Sequence, residues 1–404
     1  MAVTVLAKPS SPNLTGTKLV YSLSSSLAIN PQYQYVVDIH ESGSSTRLTR
    51  LYAYPNEYGS GIAEVSRVLN DNLDFDKDWK VTAQTAPVLS AKDFTLHYSE
   101  SYGTSISSSV TIYAGGATSE IEAFPGTLDP NGGTFNFDTG SYPATNVLSN
   151  FPFVTTDAID LSKKRDFKNI KSTDYETLTV SYGDSLLSSV TYKTYNSAGS
   201  VLATNSLSTF TDSFYNIPAG VQNLIDAGGA LETQFDTTAW TYYSIEFTLA
   251  DASDKTYWYK RNDTCVRAGE SIRFAFINNY GFYDYYNIYN PIKESTNLMR
   301  NSFDKPNVDY SSPTSYYDIT RRGTDQYNIS YMDKYVVSTE YVGKETSDWL
   351  TEMLDSTEVY IQSGTDFIPI VITNGNYSWN LSNNREKTFK YDIEFSYANK
   401  RYDR

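Results

Sequence analysis

Between Ile272 and Tyr289 the chain reads Ile272-Arg273-Phe274-Ala275-Phe276-Ile277, a turn around Gly281, and then Phe282-Tyr283-Asp284-Tyr285-Tyr286-Asn287-Ile288-Tyr289. Apolar side chains at Ile272, Phe274 and Phe276 share one face, which predicts a strand. Glycine then breaks the pattern, and an aromatic run follows. Aromatic side chains suit a pleated surface better than a helix. The whole chain repeats this bias, with Tyr 36 and Phe 19 against Met 4. The fold class that follows is all-β, with multiple β-sandwich domains and a few short helices. A tyrosine buries its ring while keeping its hydroxyl hydrogen-bonded, which suits a wet protein interface. Tyr280, Gly281, Phe282, Tyr283, Tyr285 and Tyr286 are therefore the candidate interface, with internal packing of the same rings as the competing reading.

At 404 residues the chain is longer than a typical single domain. Net charge is −15, from Lys+Arg 32 and Asp+Glu 47, a balance that repels nucleic acid and favours solubility. The tight basic clusters, Lys163-Lys164-Arg165 and Arg321-Arg322, sit beside acidic residues and read as solvated loops. A single cysteine, Cys265, excludes an intrachain disulfide and a cysteine zinc cage. The start, Met1-Ala2-Val3-Thr4-Val5-Leu6-Ala7-Lys8-Pro9, lacks the charged and apolar regions of a secretory signal. No apolar run reaches the length of a membrane-spanning segment. The expectation is a soluble protein made in a cytoplasm, where the sequons at Asn13, Asn262, Asn328, Asn376 and Asn380 carry no meaning.

Three regions are expected. In 1–89, Leu19, Tyr21 and Leu23, and then Tyr33, Tyr35, Val37 and Ile39, alternate as strands of a sandwich. Ile62, Val65, Val68, Leu69 and Leu73 fall at helical spacing and predict a closing helix over 62–73. Region 90–250 is rich in Ser, Thr and Gly. Its segments Tyr102–Thr111 and Tyr182–Thr191 resemble each other, as an internal repeat or as chance in Ser-rich sequence. Pro218 at the head of Ala219–Asp226, with Gly228 and Gly229 behind, marks a short helix. Region 251–404 is read as a second sandwich, with the aromatic turn and one helix capped by Thr346 or Ser347 and running through Leu354. There Asn374-Gly375 signals a hairpin, and Phe389, Tyr391, Ile393, Phe395 and Tyr397 share one face of a final strand.

Chemistry is sparse. Two histidines, His40 and His97, are too few for most metal or acid–base sites and read as surface strand positions. No nucleophile motif, phosphate loop or histidine pair for metal is present. Asp129-Pro130-Asn131-Gly132-Gly133 with Asp138 lacks EF-hand spacing and reads as an ordinary turn. The chain is expected to be no enzyme, with no cofactor, no metal and no catalytic residue.

Three passages resemble structural proteins of tailed bacteriophages, especially those infecting Bacteroidetes and including the crAss-like phages. They are Tyr33–Ile39 with Tyr54-Pro55-Asn56 and Gly61–Leu69; Cys265 with Ile272–Tyr286; and the order Trp349, Ser356, Val359-Tyr360, Pro369–Ile372 and the final strand. Glu64 stands where the family pattern usually has an aromatic-Asp approach, and 90–250 is not covered. The resemblance implies a virion subunit of a neck or tail ring, hub or baseplate-like assembly. Its implied partners are itself, in a ring-like homo-oligomer, and other virion neck or tail proteins, without nucleic acid. A receptor- or carbohydrate-binding tail adhesin is the alternative, with Trp258 stacking on sugar. Alternation, however, places Trp258 opposite Tyr257 and Tyr259, as in a strand buried on both sides.

Overall fold

The computed structural model describes residues 3–9, 13–16, 18–73, 77, 79–83, 92–124, 126, 167–181, 187–208, 210, 214–249, 255–263, 271–279, 281–305, 308–309, 313, 316–317, 320, 323–373 and 389–399. Cys265, Tyr280, the Asp129–Asp138 turn, both basic clusters, the second repeat turn at 182–186 and the Asn374-Gly375 hairpin lie outside them. The chain forms two compact units. One comprises Met1–Asp263 with Phe276–Tyr285, and the other Thr264–Ala275 with Tyr286–Arg404.

The first unit opens with β1 (Thr4–Ala7), β2 (Asn13–Leu14), β3 (Val20–Ser24), β4 (Gln34–Glu41), β5 (Arg47–Ala53), β6 (Ser60–Glu64), α1 (Ser66–Asn70), β7 (Lys92–Tyr102) and β8 (Thr111–Phe124). They build a three-stranded sheet, β1-β3-β6, and a five-stranded sheet, β2-β8-β7-β4-β5. Alternation explains the core. Tyr21 and Leu23 of β3, Tyr35, Val37 and Ile39 of β4, and Phe94, Leu96 and Tyr98 of β7 form one buried cluster. The Tyr21 and Tyr98 rings meet across it at 6.0 Å. The expected boundary at 89–90 is corrected: β7 pairs with β4 from Gln34↔Ser101 to Glu41↔Phe94, so this sheet continues to residue 124. The shift in Ser and Thr content there marks no change of core. The helix over 62–73 is also corrected. Ile62 is half exposed in β6, which pairs with β3, and only Ser66–Asn70 are helical. Strand pairing overrides the local helical spacing.

A second core in this unit is formed by β9 (Lys168–Ile170), β10 (Thr177–Ser181), β11 (Leu187–Tyr195), β12 (Val201–Ser208), β13 (Phe214–Pro218), α2 (Val221–Asp226), α3 (Gly229–Phe235), β14 (Tyr242–Leu249) and β15 (Lys255–Arg261). The sheet β12-β11-β14-β15-β9 and the pair β10-β13 share one cluster that includes Tyr192, Tyr243, Ile245, Phe247, Tyr257 and Tyr259. Pro218 closes β13 rather than opening a helix, and α2 starts after Gly220. A side chain at Gly220 would collide with the Glu176 backbone nitrogen, so glycine is required there. The boundary expected at 250–251 moves as well, because β15 pairs with β14 in this sheet.

Within this core Lys168 and Glu176 form a fully buried ion pair, Nζ to Oε1 2.6 Å. The Tyr259 hydroxyl donates to the same oxygen at 2.9 Å, and the ammonium lies 6.0 Å from the Tyr259 ring and 5.9 Å from the Tyr285 ring. Burial, with the Glu176 carboxylate beside it, holds the Tyr259 hydroxyl well above the ordinary tyrosine range. The Asn223 amide clamps three backbone groups. Its Oδ1 accepts from the Glu176 N–H, and its Nδ2 donates to the Trp79 and Val81 carbonyls.

The second unit holds residues 272–275 of β16 (Ile272–Ile277) and 286–288 of β17 (Tyr283–Ile288), then β18 (Lys293–Asp304), β19 (Val308–Asp309), β20 (Tyr316–Tyr317), β21 (Thr324–Ser338), α4 (Lys344–Asp355), β22 (Val359–Ser363), β23 (Asp366–Ile372) and β24 (Asp392–Tyr397). Seven strands form one sheet, β17-β16-β22-β23-β24-β21-β18. Ile393 and Phe395 of β24 are buried and Tyr397 is partly exposed. Helix α4 buries Trp349, Leu350 and Met353. Its N-cap is Gly343, without a side-chain cap, so neither Thr346 nor Ser347 fills that role. Ser347 instead shares a 2.5 Å hydrogen bond with the Tyr391 hydroxyl in the interior.

Replacing one partner of the buried pair strands the other charge. Lys168→Met should lower stability by about 3–5 kcal/mol, and Lys168→Met/Glu176→Leu should recover much of that loss. Guanidinium unfolding followed by tryptophan fluorescence reads both. A single variant costing less than about 1 kcal/mol would show that the pair is not an organising interaction.

Candidate interaction surface

The aromatic turn is interior. Gly281 has φ +84°, the left-handed conformation that favours glycine. The turn closes by Gly281 N–H to Asn278 O at 3.0 Å, Asn278 N–H to Phe282 O at 2.8 Å, and Phe282 N–H to Asn278 Oδ1 at 3.1 Å. Phe282, Tyr283 and Tyr285 are 3%, 6% and 2% exposed. Tyr283 meets the Trp79 ring edge-on at 4.3 Å, and Tyr285 lies beneath the Lys168 ammonium. Half-buried Tyr286 meets Trp349 at 5.6 Å, and burial raises its hydroxyl above the ordinary tyrosine range. The expectation of a projecting aromatic patch is therefore corrected for these residues. Every residue of β16 and most of β17 are buried, so the strands need apolar matter on both faces. Aromatic density here signals depth.

The surface that does present apolar side chains lies elsewhere. Strand β18 is exposed along all twelve residues, and among the described residues it is an edge of its sheet. It pairs with β21 from Lys293↔Val336 to Asp304↔Thr324, with an irregularity between Asn301 and Ser302. Strand β24 reaches β21 only at Tyr335–Ser338. The remainder is a two-stranded ribbon about 33 Å long. Opposite residues in an antiparallel pair share a face, so the register sorts its side chains. One face carries Leu298, Tyr331 and Ile329, and the other carries Met299, Met332 and Phe303. Leu298 is 47% exposed, Met299 65%, Phe303 49%, Tyr327 66% and Met332 57%. An isolated ribbon is marginal in water, and its polar groups hold this one together. Thr296 donates to Asp333 at 2.7 Å and Thr324 to Asp304 at 2.7 Å, Arg300 donates to Gln326 at 3.2 Å, and Lys305 pairs with Asp325.

Sequence reasoning missed this ribbon because it looks for one apolar face. Here the apolar residues fall on both, which erases the alternation. The usable signal was Leu298-Met299 at the centre of an otherwise polar strand.

A second feature lies on the outer face of the β11-β14-β15 sheet. Tyr195 and Tyr242 stack at 4.9 Å, Trp258 lies 5.4 Å from Tyr195, and Phe167 lies 5.1 Å from Tyr242. The Lys193–Glu246 ion pair at 2.5 Å and Ser244 border this cluster. Tyr257 and Tyr259 point into the core and Trp258 out of it, as alternation requires. His40 and His97 are neighbours on β4 and β7, with ring centroids 4.8 Å apart, while nearby Asp38 is held by Arg50 at 2.6 Å. Among the described residues no group of three or more His, Cys, Asp and Glu is placed to hold a metal ion, and no helix is long and apolar enough to cross a membrane.

No protein-family model matches the chain, and no curated protein matches it significantly.

Because Tyr283 and Tyr285 pack inside the chain, replacing either by Ser should destabilise the fold by about 3–5 kcal/mol, the scale of other large-to-small aromatic losses. Thermal melting checks this. Unchanged melting with altered association would return these rings to the surface.

Proposed function

We propose that the chain is a structural subunit of a tailed-phage virion, made in the host cytoplasm and built into a neck or tail ring, hub or baseplate-like assembly. The observation that carries this reading is the β18–β21 ribbon, apolar on two exposed faces and anchored to a buried sheet. The resemblance of three sequence passages to phage structural proteins supports it. The work of such a subunit is mechanical. Dense sheets resist deformation, and large apolar side chains exposed together on one ribbon, among polar neighbours, fit a contact with another protein. Its partners in this reading are copies of itself and other neck or tail proteins. No nucleic acid, cofactor or catalytic step enters.

The half-buried rings of Tyr242 and Trp258, backed by buried Tyr195 and bordered by Lys193 and Glu246, favour a second reading. A tail adhesin would use such rings to stack on sugar and such polar groups to bind its hydroxyls.

Imaging and composition of purified particles separate the two. The structural reading expects a fixed copy number in a symmetric ring at the neck or tail. It fails if the protein is absent from particles. The adhesin reading expects the protein at fibre tips and glycan binding that is lost in Trp258→Ala.

A further inference from the structure

We propose that the β18–β21 ribbon is a self-association arm, gripped on both faces and along its β18 edge by a second copy of this chain. The proposal rests on the structural-subunit reading and names the partner of its surface.

Area argues for a grip rather than a flat contact. Two strands about 4.8 Å apart and about 33 Å long present roughly 300 Å² of projected area per face. A stable interface needs about 800 Å² from each partner. One face falls well short, whereas both faces with the edge approach it. The side chains agree, because Leu298, Tyr331 and Ile329 lie on one face and Met299, Met332 and Phe303 on the other. A partner covering a single face would leave half of these in water. The outer side of β18 adds a row of backbone groups that another strand can pair with, and no proline interrupts it.

Charge argues for a second copy. Over residues 293–334, Lys293, Arg300, Lys305, Arg321, Arg322 and Lys334 balance Glu294, Asp304, Asp309, Asp318, Asp325 and Asp333. The entire net charge of −15 therefore lies outside this segment. Two copies approaching elsewhere repel each other; a neutral arm entering an acidic copy does not. Four of the arm's carboxylates are also occupied internally, Asp333 by Thr296, Asp304 by Thr324, Asp325 by Lys305, and Glu294 by the Tyr335 hydroxyl at 3.2 Å. With no net charge, such an arm offers little to a basic partner or to a polyanion. It binds through apolar contact and backbone pairing. An arm held by one copy and inserted into the next makes a head-to-tail contact, which closes into a ring when the rotation permits.

The test uses the purified full chain in sedimentation over a concentration range, beside two variants, Leu298→Ser/Tyr331→Ser and Met299→Ser/Met332→Ser. The wild type should form species heavier than 45.4 kDa. Each variant, altered on one face only, should weaken association tenfold or more while circular dichroism and melting stay unchanged. Amide exchange on the unmodified chain should show Lys293–Asp304 protected as concentration rises, which decides the matter if a variant fails to fold. A wild type that stays monomeric to about 0.1 mM overturns the proposal, as does association untouched by both variants. Neither result removes the protein from the particle. Conversely, self-association through the ribbon by a protein absent from virions sinks the structural-subunit reading and leaves this one standing.

Discussion

Burying Lys168 against Glu176 removes two charges from water at a cost of several kcal/mol each, which their attraction offsets only when geometry and hydrogen bonding are complete. Much of the first unit is arranged to complete them. The Tyr259 hydroxyl caps the shared oxygen, and the Tyr259 and Tyr285 rings present their faces towards the ammonium. The Glu176 carbonyl accepts from the Ala219 and Gly220 nitrogens, and its own N–H donates to Asn223, which in turn holds Trp79 and Val81. Glu176, through its side chain and its backbone, thereby ties together the start of α2, the 79–81 segment that precedes β7, and the Tyr285 ring of β17.

That constraint explains where the chain's aromatic content goes. Tyr192, Tyr243, Tyr257, Tyr259 and Tyr285 are fully buried side chains, and their hydroxyls need partners inside the protein. Tyr192 finds the Pro218 carbonyl at 2.9 Å, and Tyr243 finds that of Ala219 at 2.6 Å. Tyrosine here serves as a core residue that also ties loops to sheets. The exposed apolar surface of the ribbon is built differently, with the flexible side chains of Leu298, Met299 and Met332 set among the rings of Phe303, Tyr327 and Tyr331. Such side chains adapt to a partner's contour, whereas the packed rings hold one arrangement.

Alternation made the first strands legible: Leu19, Tyr21 and Leu23, then Tyr35, Val37 and Ile39, are core residues where the pattern put them. The final strand through Ile393 and Phe395 was equally readable. The α4 helix was legible from Trp349, Leu350, Met353 and Leu354, of which the first three are buried and Leu354 is half-buried, though its cap was not, because Gly343 offers no side-chain signal. The candidate interface failed for a physical reason. A tyrosine-rich strand reads the same whether its faces meet another chain or its own, and only burial separates the two.

Period and composition therefore determined the all-β class, the inward faces of the long strands, and the acidic balance that governs which partners are repelled. They act over neighbouring residues, and neighbouring residues carry them. The assignment of β7 and β8 to the first sheet, the meeting of Lys168 with Glu176, and the exposure of both ribbon faces depend on pairings between distant segments. Tertiary structure alone decided those, because whether a side chain is covered is a property of what the rest of the chain brings to it.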